Sequence, residues 1–194
     1  MTSTGSLILA SASPRRRELL EGMGLRFDVI TVGIPELDAD SAPHLSPADL
    51  ARENARRKAA AAAERSPGRW VLGADTVVAL DGRLFGKPAS LEQAGEFLRA
   101  LSGRTHDVIT GCSLLDAGRH EEIFHEVTRV TFRALPDETI ERYLAEVHVL
   151  DKAGAYALQE RGEWIVERVE GSRSNVIGLP TEALERIFRR HGLI

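Results

Sequence analysis

Two kinds of chain connection recur in these 194 residues, and together they limit the sheet that can form. Some strand-like runs are separated by helix-like stretches, the connection that parallel neighbours need. Others are separated only by a tight turn, which joins antiparallel neighbours. Residues 6–10 read as a strand leading to a helix over 14–23, with Ser13 at the N-cap, Pro14 in the first turn and Gly24 after the end. "RFDVITV" reads as a second strand, 37–46 as a loop, and "SPADLARENARRKAAAAAER" as a long helix opened by Ser46-Pro47. "WVLGADTVVAL" reads as a buried strand closed by a hairpin-type turn at Asp81-Gly82. Ser90 caps a helix through Leu101. Residues 106–116 and 121–135 look like long antiparallel strands joined by a turn around Ala117-Gly118. "PDETIERYLAEV" is expected as a helix, "EWIVERVEG" as a strand and "TEALERIFRRH" as a closing helix. The expected fold is a single α/β domain over 1–194, with a mixed sheet and flanking helices.

Composition narrows the function classes. A hydrophobic content of 43% suffices for a sizeable core, and a net charge of −4 argues against a dedicated nucleic-acid binder. A single cysteine, Cys112, cannot form an internal disulfide, so a reducing compartment is expected. The opening "MTSTGS" lacks the charged and apolar regions of a signal peptide, and no run of 18 apolar residues occurs. A cytoplasmic protein without a membrane partner is the expectation.

Local charge is more informative than the total. "LILASASPRRRELL" places Arg15, Arg16 and Arg17 on the first turn of a helix, where the dipole already disfavours cations. A strand, a serine-rich turn and a capped helix make an anion-binding geometry: backbone N–H groups face outward and Ser11 and Ser13 add hydroxyls. The three arginines cannot all face one ligand, but two can. The bland alternative is a solvated helix start.

"GADTVV" puts Asp75 in an otherwise apolar strand, where a carboxylate is costly unless it is paired, binds metal or ends the strand. Thr76 adds a hydroxyl beside it. "GKP" holds Lys87 between a flexible and a rigid residue, and "DKAGAYALQ" is a small-residue turn followed by Gln159.

"SASPRR", "GADTVV", "GKP", "LSGRTHDVITG", "DKAGAYALQ" and "SNVIGLP" occur in the order and spacing of the Maf proteins, and the resemblance runs from about Leu7 to Leu184. It implies a nucleoside triphosphate pyrophosphatase that cleaves between the α and β phosphates and uses a divalent cation, magnesium or manganese. It also implies a fold similar to the inosine triphosphate pyrophosphatases, with two lobes around a cleft, and often a homodimer. On this resemblance Asp75 is the proton acceptor or a metal ligand, and Glu36 a metal ligand or second base. Ser11, Ser13, Arg15, Arg16 and Lys87 hold the phosphate chain. Arg15, Thr76 and Gln159 match the subgroup that prefers dTTP and UTP, and a neutral amide at 159 suits the imide edge of thymine or uracil. The alternatives are the same chemistry on 7-methyl-GTP, and a non-catalytic nucleotide-binding regulator of cell division.

One departure concerns the second helix, where the family often has a lysine and this chain has Asn54. Lys58, four residues on along the same face, reads as a solvated charge, with reach into the same space as the alternative. Other constellations are set aside. The histidines of "HEEIFH" are five apart in a strand-like pattern, so they point to opposite faces and make no zinc-protease motif. Cys112 reads as packed, His106 as structural or solvent-exposed, and Trp70 and Trp164 as core.

Overall fold

In the computed structural model, which describes residues 7–116 and 120–194, both connection types feed one sheet of seven strands. The proposed turn at Ala117-Gly118 lies outside the described residues. In chain order the strands are β1 (Leu7–Ala10), β2 (Phe27–Val29), β3 (Trp70–Leu80), β4 (Arg83–Phe85), β5 (Thr105–Asp116), β6 (His120–Phe132) and β7 (Val166–Glu170). The helices are α1 (Pro14–Gly22), α2 (Pro47–Ala63), α3 (Leu91–Leu101), α4 (Asp137–Glu146), α5 (Gly162–Ile165), α6 (Arg173–Ile177) and α7 (Thr181–Arg190). The sheet runs β2-β1-β3-β5-β6-β7, with β4 paired to β3. β1 is parallel to β2 and β3, because α1 and α2 make the crossovers; the other pairings are antiparallel. The mixed α/β sheet with flanking helices is therefore as expected.

Three expectations are corrected. The run "RFDVITV" is a strand only over Phe27–Val29, since β1 has just four residues to pair with. "EWIVERVEG" begins as the short helix α5, and the strand starts at Val166. Ser13 occupies the N-cap of α1 but its side chain does not cap; instead its N–H donates to Ser11 Oγ at 3.2 Å.

The long strand β3 has two kinds of neighbour on one edge. β1 ends opposite Gly73, and the last residue of β4, Phe85, pairs with Val78. Residues 74–77 of β3 lie between them, at a gap in the sheet. Even-numbered β3 residues face α1 and α7 at one end and α3 and α4 at the other. Leu72 and Ala74 join a core with Leu9, Leu20, Leu184 and Phe188, while Val78 and Leu80 join a second core with Phe85, Leu98, Phe132 and Tyr143. These two cores are the two lobes, and the gap separates them.

The other face is covered by α2. Its alanines lie against β1, β3 and β5, with Ala59 and Ala62 beside Ile8 and Val71, and Ala51 beside Val77 and Ile109. The approach is close because two strand positions are glycines. A Cβ on Gly73 would sit 2.2 Å from Ala55 O, and one on Gly111 2.3 Å from the Ala51 carbonyl carbon. The alanine run thus brings helix backbone onto sheet backbone and carries Asn54 and Lys58 down to Asp75.

Candidate active site

Asp75 and Thr76 sit in the sheet gap and line a cleft of about 500 Å³. The cleft gathers side chains from distant parts of the chain: Ser11, Ser13, Arg15 and Arg16 from the first turn, Glu36 from the loop after β2, and Lys87 from the loop after β4. Gln159 and Asp151 line it from the opposite lobe. Every residue singled out from the sequence for substrate, proton or metal therefore borders one space.

On the α2 face the site is an alternation of acids and ammonium groups. Lys58 Nζ donates to Asp75 Oδ1 and to Glu36 Oε1, each at 2.6 Å. Lys87 Nζ donates to Glu36 Oε2 at 2.9 Å. Lys58 is only 8% exposed and Asp75 6% exposed, so their pairing is made with little water. This corrects the reading of Lys58 as a solvated helix charge. The alanine face of α2 lies close on the sheet, so Lys58 turns into the floor of the cleft, where Asp75 and Glu36 balance its charge. Burial alone would raise the pKa of Glu36; the ammonium groups of Lys58 and Lys87 outweigh it and hold the carboxyl at about 2.

Asn54 has a role of its own. Its Nδ2 donates to Leu37 O at 2.9 Å and to Asp75 Oδ2 at 3.2 Å, while its Oδ1 accepts from Leu37 N at 2.8 Å. A side-chain amide is the group that can complete both backbone bonds at once. It clamps the loop one residue beyond Glu36 and so sets where that carboxylate falls.

On the other face the site is built from arginine. Arg16 Nε donates to Gly178 O at 2.9 Å, Nη2 to Thr76 Oγ1 at 3.0 Å and Nη1 to Ser11 Oγ at 3.3 Å. Burial lowers the pKa of this guanidinium, and the charge of Asp75 opposes the shift. The "SNVIGLP" stretch supplies the support. Asn175 in α6 donates to Val108 O at 3.1 Å and Thr128 Oγ1 at 3.0 Å, and its carbonyl accepts from Thr110 Oγ1 at 3.0 Å. Thr110 is in turn 2.9 Å from Thr76. α6 is thereby seated on the sheet with Gly178 O aimed at Arg16.

Arg15 reaches across the cleft. Its Nη1 donates to Asp151 Oδ2 at 2.9 Å, which ties α1 to the "DKAGAYALQ" turn of the other lobe. That turn includes a 3-10 segment, Ala153–Ala155, with Gly154 at φ +71°, and Gly154 N donates to Gly86 O at 3.1 Å. The bond links the Gln159 loop to the loop bearing Lys87. Sequence reasoning missed Asp151; an acid next to a lysine in a small-residue turn carries no pattern of its own. His106 is structural: it is buried, with Nε2 2.9 Å from Tyr156 Oη. Cys112 is packed in the core, and burial pushes its thiol up to about 12. Trp70 and Trp164 are partly buried against the two cores.

Opposed acids and bases at a break in a mixed sheet, faced by an arginine-bearing helix start, define an α/β domain with one charged cleft between two lobes. In fold it is similar to the Ham1 protein of Staphylococcus aureus, with a TM-score of 0.50 and 16% identity, covering 96% of this chain and 99% of that one. The chain belongs to the Maf-like protein family, whose profile matches residues 6–191. It is 51% identical over 189 residues to the dTTP/UTP pyrophosphatase of Myxococcus xanthus, covering 96% of this chain and 93% of the relative. It is 46% identical over 191 residues to the dTTP/UTP pyrophosphatase of Geobacter sulfurreducens, covering 98% of each. Among the described residues no helix is long and apolar enough to cross a membrane.

Proposed function

We propose that this protein hydrolyses dTTP and UTP to the nucleoside monophosphate and pyrophosphate. The observation that carries the reading is the placement of Asp75, Glu36 and Lys58 in one cleft with Arg15, Arg16 and Lys87. The relatives named above support the pyrimidine substrates.

A triphosphate chain lies against fixed cations without reorganising them, which is how phosphoryl transfer is favoured. Arg16 is held from three sides and gives a fixed guanidinium; Lys87, on a loop, gives an exposed ammonium paired with Glu36. Asp75 takes the proton of the attacking water, pyrophosphate leaves, and one water is consumed for each phosphoanhydride opened. Asn54 and Lys58 orient the Asp75 carboxylate for that transfer. Gln159 faces the base, where an amide offers a donor and an acceptor together.

The residues fit a hard divalent cation. Glu36 and Asp75 come from separate elements and converge on a single ammonium, and carboxylate oxygens are the donors that magnesium and manganese take. When bound, such an ion neutralises phosphate charge. The reading carries a cytoplasmic location, free nucleotide rather than nucleic acid as partner, and a homodimer.

Pyrophosphate release from dTTP, UTP and 7-methyl-GTP, with magnesium or manganese, tests the proposal. Turnover of the pyrimidine nucleotides is expected, with loss of at least ~100-fold in Asp75→Asn while the protein stays folded. Release from none of them would leave a non-catalytic regulator, and preference for 7-methyl-GTP would move the protein to another substrate class.

A further inference from the structure

We propose that His120, Glu122 and His191 form a second cation site, on the surface, for a borderline divalent ion of the zinc type. His120 and Glu122 are two residues apart on β6 and so share a face of the sheet. His191 follows the last residue of α7 and meets them there. One ligand atom from each of the three lies within 4.8 Å of the others, and His191 Nε2 is 2.9 Å from Glu122 Oε2. Zinc bound through bonds of about 2.1 Å separates its donors by about 3.4 Å in a tetrahedron, so side-chain rotation alone closes the site. Two imidazole nitrogens and one carboxylate oxygen favour zinc, nickel or copper over magnesium and calcium.

The groups are also oriented. Arg190 Nη2 donates to Glu122 Oε1, which leaves Oε2 turned toward His191. The His191 ring lies against Trp70, with centroids 5.0 Å apart, and beside His120 at 5.6 Å. Partners that hold a ligand's second atom are what sharpen a metal site. His120 is exposed, so an ion enters from water, and a water molecule completes the coordination. His125, the other histidine of "HEEIFH", faces α2 instead, with Nδ1 3.2 Å from Arg52 Nη1.

The site is separate from the cleft. Trp70 begins β3 five residues before Asp75, about 17 Å along the strand. Its effect is mechanical: a bound ion clamps the end of α7 to β6. α7 buries Leu184, Ile187 and Phe188 under the lobe that carries α1, so the clamp stabilises the support of the arginine-bearing turn.

Thermal melting of the full chain with added zinc chloride tests this. Zinc at 100-fold excess over its dissociation constant raises Tm by about 5 °C or more. Asp75→Asn, altered only in the cleft, keeps the rise; His120→Ala, an exposed position, melts like the unsubstituted protein without zinc and loses the rise. Glu122→Gln reduces it. Calorimetric titration of the Asp75→Asn variant gives one zinc equivalent that His120→Ala abolishes in the same background. An equal rise in the His120→Ala protein, or no rise in any of them, overturns the proposal.

Discussion

Asp75 and Thr76 are consecutive, yet they face opposite sides of the sheet. The acid meets Lys58 of α2, and the hydroxyl meets Arg16 of α1. A strand with a neighbour on both edges would bury these two groups apart from each other. Here the neighbouring edge is empty between β1 and β4, so both reach the same cleft.

Lys58 is expected to serve both stability and turnover. Its removal in Lys58→Ala leaves the buried Asp75 carboxylate with Asn54 as its remaining hydrogen-bond partner among the described residues. Breaking a buried pair on one side costs about 3 kcal/mol. Turnover falls ~100-fold as the carboxylate loses its orientation. Urea unfolding and pyrophosphate release measure the two effects; activity within twofold of the unsubstituted protein would return Lys58 to a structural role.

Gly73→Ala is expected to disturb the site without touching it. The new methyl group would meet Ala55 O at 2.2 Å and Ala59 N at 2.8 Å, both backbone atoms of α2. The helix has to retreat, which costs ~1–3 kcal/mol and draws Asn54 and Lys58 away from Asp75. Gly22→Ala, where a Cβ meets nothing within 4 Å, is the control with normal activity. Equal kcat in both proteins would show that α2 yields without moving its polar side chains.

Stability should depend on pH through His106. Burial lowers its pKa from 6.5 to about 4, so the unfolded chain binds the proton more readily. Its contribution is complete above pH 6.5 and is lost as pH falls toward 4, by about 3 kcal/mol. Glu36 is also depressed, from 4.5 to about 2, but its loss falls below pH 4.5. Denaturant unfolding between pH 4.5 and 6.5 therefore reports His106, and a His106→Asn protein with an undiminished slope would refute the assignment.

Gln159→Glu tests base recognition. Gln159 is exposed at the cleft wall, so the change leaves Tm nearly unaltered. A carboxylate cannot donate to an imide carbonyl, and kcat/KM for dTTP should fall at least ~10-fold. Equal values in the two proteins would remove Gln159 from specificity.

The long strands and capped helices were legible because their patterns are local. β3 matches the expected run over Trp70–Leu80, and the Ser90 hydroxyl accepts from Gln93 N as the cap predicts. The start of "EWIVERVEG" was misread, and the short α6 carried no reading at all, because it is seated by the tertiary bonds of Asn175 to β5 and β6. At the site, the ordered motifs pointed to the residues that line the cleft. Lys58 was obscured because a lysine in an alanine-rich helix looks solvated until the glycines opposite it are known to admit the helix backbone. Asp151 was missed because its meaning comes from Arg15, 136 positions away.

The hydrogen-bonded row from Thr128 through Asn175, Thr110 and Thr76 to Arg16 crosses three adjacent strands. A substitution on β6 that never touches nucleotide can therefore alter how firmly the guanidinium is aimed. On the proposed function, variation in grip on the phosphate chain is thus open to the protein from its far side, with the reacting groups left untouched.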